Sequence, residues 1–129
     1  MSGSLHHLAL GAQDVAVLAS FYRDDLGLAE LSRQTDPSAD SLSSVWLDLG
    51  GGAVLMIEAT TEPARRRVEG RDSGLFLLAL AEPDVESLEI RCKALAARGI
   101  LQISATEFTR YFRDPEGNPF ALSCYPFAR

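Results

Sequence analysis

The sequence predicts an α+β fold in which two βαβββ modules form a curved, partly closed sheet around a cavity, with the helices on the outside. The order strand, helix, three strands occurs twice, at a spacing of roughly 65–70 residues, which indicates an internal repeat. An apolar helix follows the first strand, and a strand–turn–strand pattern occupies residues 110–125. Because the helix of each half can cover only one face of its sheet, the other face stays available for a small molecule.

Module one is predicted over residues 5–60. Its first strand alternates apolar and small or polar residues, as a half-buried strand does. Asp14 stands where a helix N-cap belongs, and Gly27 can supply the left-handed residue that ends the helix. The remaining strands follow a polar loop and a glycine-rich turn. The strands of module one are predicted at 5–11, 28–33, 44–49 and 53–60, with a loop at 34–41.

Module two is predicted over residues 74–127, after a polar connector at 61–73. Asp84 follows a proline at a helix-start signal, and Gly99 ends the helical stripe. A tight turn at 114–118 contains a proline that presets φ and a glycine that adopts a positive φ without steric cost. The strands of module two are predicted at 74–80 and 101–105 and on both sides of this turn.

The composition narrows the function classes. With 129 residues the chain is predicted to form one domain, residues 1–129, and its net charge of −6 argues against nucleic-acid binding. No apolar run approaches the ~20 residues that span a bilayer, and the N-terminal residues lack the pattern of a signal peptide. Two cysteines, Cys92 and Cys124, suit a reducing compartment, so a cytoplasmic location is expected.

Three segments resemble the vicinal oxygen chelate superfamily, which includes glyoxalase I, extradiol dioxygenases and the bleomycin- and fosfomycin-resistance proteins. They are residues 7–14 (HLALGAQD), 21–28 (FYRDDLGL) and 111–118 (YFRDPEGN), and the resemblance covers nearly the whole chain. It implies paired βαβββ modules, in agreement with the repeat. It also implies a homodimer, since proteins of this size in the family usually form one.

The resemblance also implies where a metal would be held. The metal enzymes of the family place ligands on the first, fourth, fifth and eighth strands. The matching positions are His7, Glu58, a position at about Leu75, and Ala121. Since two of the four are aliphatic and a catalytic zinc site generally needs three protein ligands, no firmly bound metal is expected. The alternative is a divalent metal held by His7 and Glu58 with ligands that the sequence does not identify.

Several predicted cavity residues have two possible roles. His7 either hydrogen-bonds a ligand or binds a metal, and Glu58 is either a rim carboxylate or a general base beside it. Trp46 and Phe112 are either core residues or stacking surfaces for a planar ligand. Arg110 either clamps an anionic ligand or is solvated. The full predicted cavity lining is His7, Trp46, Asp48, Met56, Glu58, Leu75, Arg110, Phe112, Ala121 and Ser123.

The sequence therefore predicts a protein that binds or sequesters a small aromatic or apolar molecule, similar to the bleomycin-resistance type. No catalytic residues are assigned. The competing hypothesis is a metal-dependent lyase, isomerase or dioxygenase that uses His7 and Glu58. A third is a protein-interaction module whose cavity is filled by its own side chains.

Overall fold

The computed structural model describes residues 3–39, 41–61 and 74–126. The chain divides into two compact units, Met1–Ala64 and Arg65–Arg129. Apart from Thr61, the predicted connector at 61–73 lies outside the described residues, as does residue 127 at the predicted end of module two. Each unit contains one four-stranded mixed sheet and one helix in the order βαβββ, so the predicted α+β fold of two such modules is confirmed.

The first unit has the strand order β1-β4-β3-β2, with β1 parallel to β4 and the other neighbours antiparallel. Its helix α1 continues directly into a π-helical turn. The elements are β1 His7–Ala12, α1 Val15–Ser20, the π-helical turn Phe21–Asp25, β2 Glu30–Asp36, β3 Ser41–Gly50 and β4 Ala53–Ala59.

The core of the first unit lies between α1 and the two central strands. The Asp14 carboxylate accepts a hydrogen bond of 3.1 Å from the Val17 N–H, which fixes the start of α1 as the sequence predicts. Leu18 is fully buried on the helix. The strand residues that are fully buried alternate along β3 and β4, and they are Val45, Leu47, Leu55 and Ile57. This alternation identifies the face that α1 covers.

The second strand of the first unit differs from its prediction. β2 begins at Glu30, not at residue 28, and it extends into the predicted loop at 34–41 as far as Asp36. β2 pairs only with β3 and forms the edge of the sheet. An edge strand needs no apolar pattern, which explains why this extension is polar. Arg33 forms an ion pair with Glu30 at 2.6 Å along the same strand.

The second unit repeats this order with β5-β8-β7-β6, where β5 is parallel to β8. The predicted strand at 74–80 is shorter in the structure and begins only at Leu78. Asp84 is the N-cap of helix α2, and its carboxylate accepts a hydrogen bond of 2.7 Å from the Ser87 N–H. The elements are β5 Leu78–Ala81, α2 Val85–Ala97, β6 Ser104–Ala105, β7 Thr109–Arg113 and β8 Pro119–Ser123.

In the second unit α2 contributes Leu88 and Leu95 to the core. Phe112 on β7 and Phe120 on β8 are also buried, and their rings stack with centroids 5.2 Å apart and planes inclined by 14°. Neither α2 nor any other helix in the described part of the chain has the length and apolarity that a bilayer span requires.

A buried aspartate holds the turn between β7 and β8. Asp114 is 5% exposed, and its carboxylate accepts hydrogen bonds of 2.9 Å from the backbone N–H groups of Glu116 and Asn118. The Asn118 side-chain amide donates a further bond of 2.9 Å to it. Gly117 has a φ of 86°, which supplies the positive φ predicted for this position. The turn therefore sets the register in which Phe112 pairs with Phe120.

Replacing Asp114 by alanine is expected to lower the free energy of unfolding by about 2–3 kcal/mol, because buried N–H groups lose a charged acceptor. Urea unfolding measures this loss. Glu107→Ala is the control, since the Glu107 side chain is exposed and lies outside the turn. Equal stability of the two variants would contradict this role of Asp114.

Candidate functional site

The face of the first sheet that α1 does not cover carries five of the predicted cavity residues. Strand pairing aligns three rows across β1, β4 and β3 on this face. The first row is His7, Val54 and Asp48; the second is Ala9, Met56 and Trp46; the third is Gly11, Glu58 and Ser44. We call this surface the unit-one open face.

His7 and Glu58 share this face but not a position along it. His7 pairs with Val54, whereas Glu58 pairs with Gly11, four residues further along the parallel strands. At roughly 3.3 Å per residue this places their backbones about 13 Å apart. That spacing exceeds what one metal ion or a direct hydrogen bond spans between two side chains standing upright from a sheet. The register therefore does not bring the two predicted metal ligands together.

Other polar groups on or beside the unit-one open face have local partners. The Nδ1 atoms of His6 and His7 lie 2.9 Å apart, so one of the two imidazoles donates to the other. The Asp48 carboxylate accepts a hydrogen bond of 2.7 Å from the Gly50 N–H and so helps to close the β3–β4 turn. Both contacts involve a residue, His7 or Asp48, that the sequence places in the predicted cavity lining.

Two polar atoms of β3 stand out. The Oγ atom of Ser44 and the Nε1 atom of Trp46 are buried, and neither has a hydrogen-bond partner among the described residues. Ser44 as a whole is 2% exposed. The two residues alternate with Val45 and Leu47, so they lie on the unit-one open face.

The second sheet also has a face that its helix does not cover. Pairing of β8 with β5 and β7 places Ala79 and Tyr111 beside Ala121, and Thr109 beside Ser123. The Thr109 and Ser123 hydroxyl oxygens are 2.8 Å apart and share a hydrogen bond. We call this surface the unit-two open face. It contributes Leu77, Ala79, Ala81, Thr109, Tyr111, Ala121 and Ser123 to the lining of an open cleft of about 850 Å³, which also includes Leu80, Glu82, Pro83, Cys124, Tyr125 and Pro126.

Two predicted cavity residues lie on the opposite side of the second sheet. The Arg110 guanidinium forms an ion pair of 2.7 Å with Glu89 of α2, and Phe112 stacks on Phe120 in the core. Arg110 and Phe112 were thus assigned to the wrong face. The residues that share a face with Ala121 and Ser123 are Tyr111 and Thr109, which sequence reasoning missed. Counting back from the 114–118 turn would have found them, because the turn pairs Tyr111 with Ala121.

Asp14 and Asp84, the aspartates that cap α1 and α2, identify which residues of the two units are equivalent. His7 stands seven residues before Asp14, and Leu77 stands seven before Asp84. The unit-two equivalent of His7 is therefore Leu77, which lines the cleft. Leu75, the predicted equivalent, precedes β5 and is 59% exposed.

The same comparison corrects the position assigned to Glu58. Ala9 and Ala79 are equivalent, and their strand partners are Met56 and Ala121. Two residues further along the strands, Gly11 pairs with Glu58 in the first unit as Ala81 pairs with Ser123 in the second. The equivalent of Ala121 is therefore Met56, and Glu58 corresponds to Ser123.

The four equivalent positions carry an imidazole, a thioether and two aliphatic side chains, from His7, Met56, Leu77 and Ala121. Catalytic zinc sites generally use three nitrogen, sulfur or oxygen donors from the protein, and magnesium and manganese prefer oxygen. Within the described ranges no three His, Cys, Asp or Glu side chains lie close enough to hold one ion. The donor set at these positions does not fit a firmly bound divalent metal.

The environment of Cys92 disfavours a reactive thiolate. Both Cys92 and Cys124 are free thiols. Burial raises the pKa of the Cys92 thiol, and the neighbouring Glu89 carboxylate raises it further. A raised pKa keeps the thiol protonated near neutral pH, which disfavours nucleophilic chemistry.

Comparisons with known proteins agree with this architecture. A family model described as Glyoxalase/Bleomycin resistance protein/Dioxygenase superfamily matches residues 4–122. The uncharacterized protein YaeR of Escherichia coli (strain K12) is 30% identical over 125 residues, 92% of this chain and 93% of that protein. Among solved structures, a glyoxalase family protein from Enterococcus faecalis is 25% identical, with a TM-score of 0.70 over 93% of this chain and 96% of that one. A point mutant of the fosfomycin resistance protein FosX from Listeria monocytogenes, solved with Mn(II) and 1S,2S-dihydroxypropylphosphonic acid, has a TM-score of 0.77 at 17% identity, covering 98% and 96% of the two chains.

The corrected faces of β7 can be tested by truncation. Phe112→Ala is expected to lower the free energy of unfolding by about 3–4 kcal/mol, because it empties a core position stacked on Phe120. Tyr111→Ala, on the open face, is expected to cost clearly less. Chemical denaturation of both variants measures the difference. A larger loss for Tyr111→Ala would contradict the assignment.

Proposed function

The chain belongs to the Glyoxalase/Bleomycin resistance protein/Dioxygenase superfamily, and we propose that it binds or sequesters a small, partly aromatic or apolar molecule without a firmly bound metal. The observation that carries this proposal is the unit-two open face. Its cleft combines small apolar side chains with the Tyr111 ring and the Thr109–Ser123 hydroxyl pair. An apolar concave surface with a few placed polar groups is typical of small-molecule sites.

The charges around the cleft favour a ligand without a strong negative charge. Arg110 is engaged with Glu89 on the far side of the sheet, so it is not placed to clamp an anion here. Among the described residues that line the cleft, Glu82 is the charged one, and its carboxylate pairs with Arg91 at 3.0 Å. The chemistry offered to a ligand is therefore apolar contact, ring stacking and hydroxyl hydrogen bonds.

A thermal-shift screen of small aromatic and apolar compounds tests the proposal. A compound present at a hundred times its Kd is expected to stabilise the protein by about 2.7 kcal/mol. Tyr111→Ala is expected to weaken binding of a compound held in the cleft by about tenfold, since aromatic contacts are typically worth about 0.5–1.5 kcal/mol beyond area burial. Arg110→Gln is the matched control and is expected to leave binding unchanged. No stabilisation by any compound would instead favour the protein-interaction module.

The absence of a firm metal is a separate prediction. Protein purified without chelators is expected to contain much less than one equivalent of divalent metal by elemental analysis, and His7→Ala is expected not to change that content. The reason is that His7 stands alone as a nitrogen donor among the four equivalent positions. A stoichiometric metal that a chelator removes and that His7→Ala abolishes would favour the alternative, a metal-dependent lyase, isomerase or dioxygenase.

Two further parts of the proposal rest on the sequence and on the family resemblance. A homodimer would protect free strand edges, and the outer strands of the described sheets are β1 and β2 in the first unit and β5 and β6 in the second. A cytoplasmic location agrees with the two free thiols.

A further inference from the structure

We propose that Trp46 and Ser44 form a hydrogen-bonding subsite on the unit-one open face for an uncharged acceptor of the ligand, such as a carbonyl oxygen. This inference rests on the proposed binding function and adds to it a ligand class, a planar neutral molecule that carries such an acceptor.

The inference starts from the two unpartnered atoms. The Trp46 Nε1 and Ser44 Oγ atoms are each almost completely removed from solvent and have no hydrogen-bond partner within the described residues. A buried polar group without a partner loses its bonds to water and gains nothing in return, so most such groups in native proteins are paired. Two of them side by side on one strand therefore need an explanation, and a bound acceptor supplies one.

Strand geometry places the two residues on the same face of the first sheet. Ser44 and Trp46 stand two residues apart on β3, so their backbones are roughly 7 Å apart on the same face. The indole Nε1 is a donor only, so its partner must be an acceptor. The Ser44 hydroxyl can donate to the same group or to a neighbouring one.

The surroundings define the class of acceptor. Trp46 pairs with Met56 across the β3–β4 ladder, which places a flat ring beside a polarizable thioether. Asp48 and Glu58 occupy the rows on either side of this pair. Two nearby carboxylates disfavour a carboxylate or phosphonate ligand by like-charge repulsion, whereas a ketone, amide or lactone is tolerated.

Two triads of probes test the subsite, each matched in size. The first is coumarin, naphthalene and 2-naphthoate, and the second is benzamide, ethylbenzene and benzoate. Each contains a neutral acceptor, a compound without an acceptor and an anion. Isothermal titration calorimetry is expected to show that the neutral acceptor binds about tenfold more tightly than its acceptor-free match. This preference is expected to disappear in Trp46→Phe and to shrink in Ser44→Ala.

Ser43→Ala is the matched control, because the Ser43 hydroxyl already donates to the Gln34 carbonyl at 3.1 Å. It is expected to keep the full preference. Trp46 is the only tryptophan in the chain, so its indole N–H gives one resonance in a ¹H–¹⁵N spectrum. Coumarin and benzamide are expected to move that resonance downfield, as a new hydrogen bond does.

Stability of the ligand-free variants gives a second readout. Since the Ser44 hydroxyl has no partner to lose among the described residues, Ser44→Ala is expected to unfold at the same or a higher urea concentration than the parent chain. A clear loss of stability would mean that the hydroxyl is hydrogen-bonded in the free protein, and it would overturn the subsite.

The binding outcomes separate the two proposals. Binding without an acceptor preference, a preference that survives in Trp46→Phe and Ser44→Ala, or tighter binding of the anions would overturn the subsite and leave the binding function standing. Failure of both triads, with hits from the wider screen that leave the indole resonance unmoved, would do the same. If no compound of either set binds, both proposals fail.

Discussion

Parallel pairing of the first and last strands of each unit determines which side chains can meet in this protein. β1 pairs with β4, and β5 pairs with β8. In both units a capping aspartate fixes the start of the helix a few residues after the first strand. Since the side-chain period of a strand is two, a slip of one residue would exchange the helix-covered face for the open face. The buried aliphatic residues on one side of each sheet prevent that slip and so place the residues of the open faces.

The sequence predicted the parts of the fold where apolar contrast is strong. Val45 and Leu47 alternate with Trp46 and Asp48, so both faces of β3 could be identified from the pattern. The contrast fails on β7, where Tyr111 and Phe112 are adjacent aromatic residues and alternation alone cannot say which one is buried. The turn that follows is the better reference, because its hydrogen bonds fix the pairing.

The bounds of a strand, and the residues counted from them, were harder to predict where no turn or capping residue marks where the strand starts or ends. β2 runs into a polar segment because an edge strand needs only one hydrogen-bonded partner. Leu75 was expected to match the fifth-strand position, but β5 begins at Leu78. Counting seven residues back from Asp84, the capping aspartate of α2, leads instead to Leu77. Glu58 lies on the strand and the face that the resemblance implies. The strand register shows, however, that the unit-one equivalent of Ala121 is Met56 and not Glu58.

The register also explains how one backbone can serve different chemistry within a superfamily. The positions equivalent to His7 are set by strand pairing and helix caps, which depend on backbone geometry and a few capping residues. The side chains at those positions project from the open faces and are little constrained by the core, so donors can be exchanged for aliphatic residues without altering the fold. In this chain the four equivalent positions carry a single imidazole, and other polar side chains of the open faces lie at Tyr111 and Thr109 and along β3.

The unpartnered atoms of β3 are hard to explain by folding alone. Phenylalanine and alanine in place of Trp46 and Ser44 would bury no unpaired donor. The pair instead carries a cost of about 1–3 kcal/mol for each buried group, a large share of the stability of a domain this size. Elsewhere in the described residues, the buried carboxylate of Asp114 accepts hydrogen bonds from three donors. An acceptor bound at the proposed subsite would give these two buried atoms the partner that the described residues do not provide.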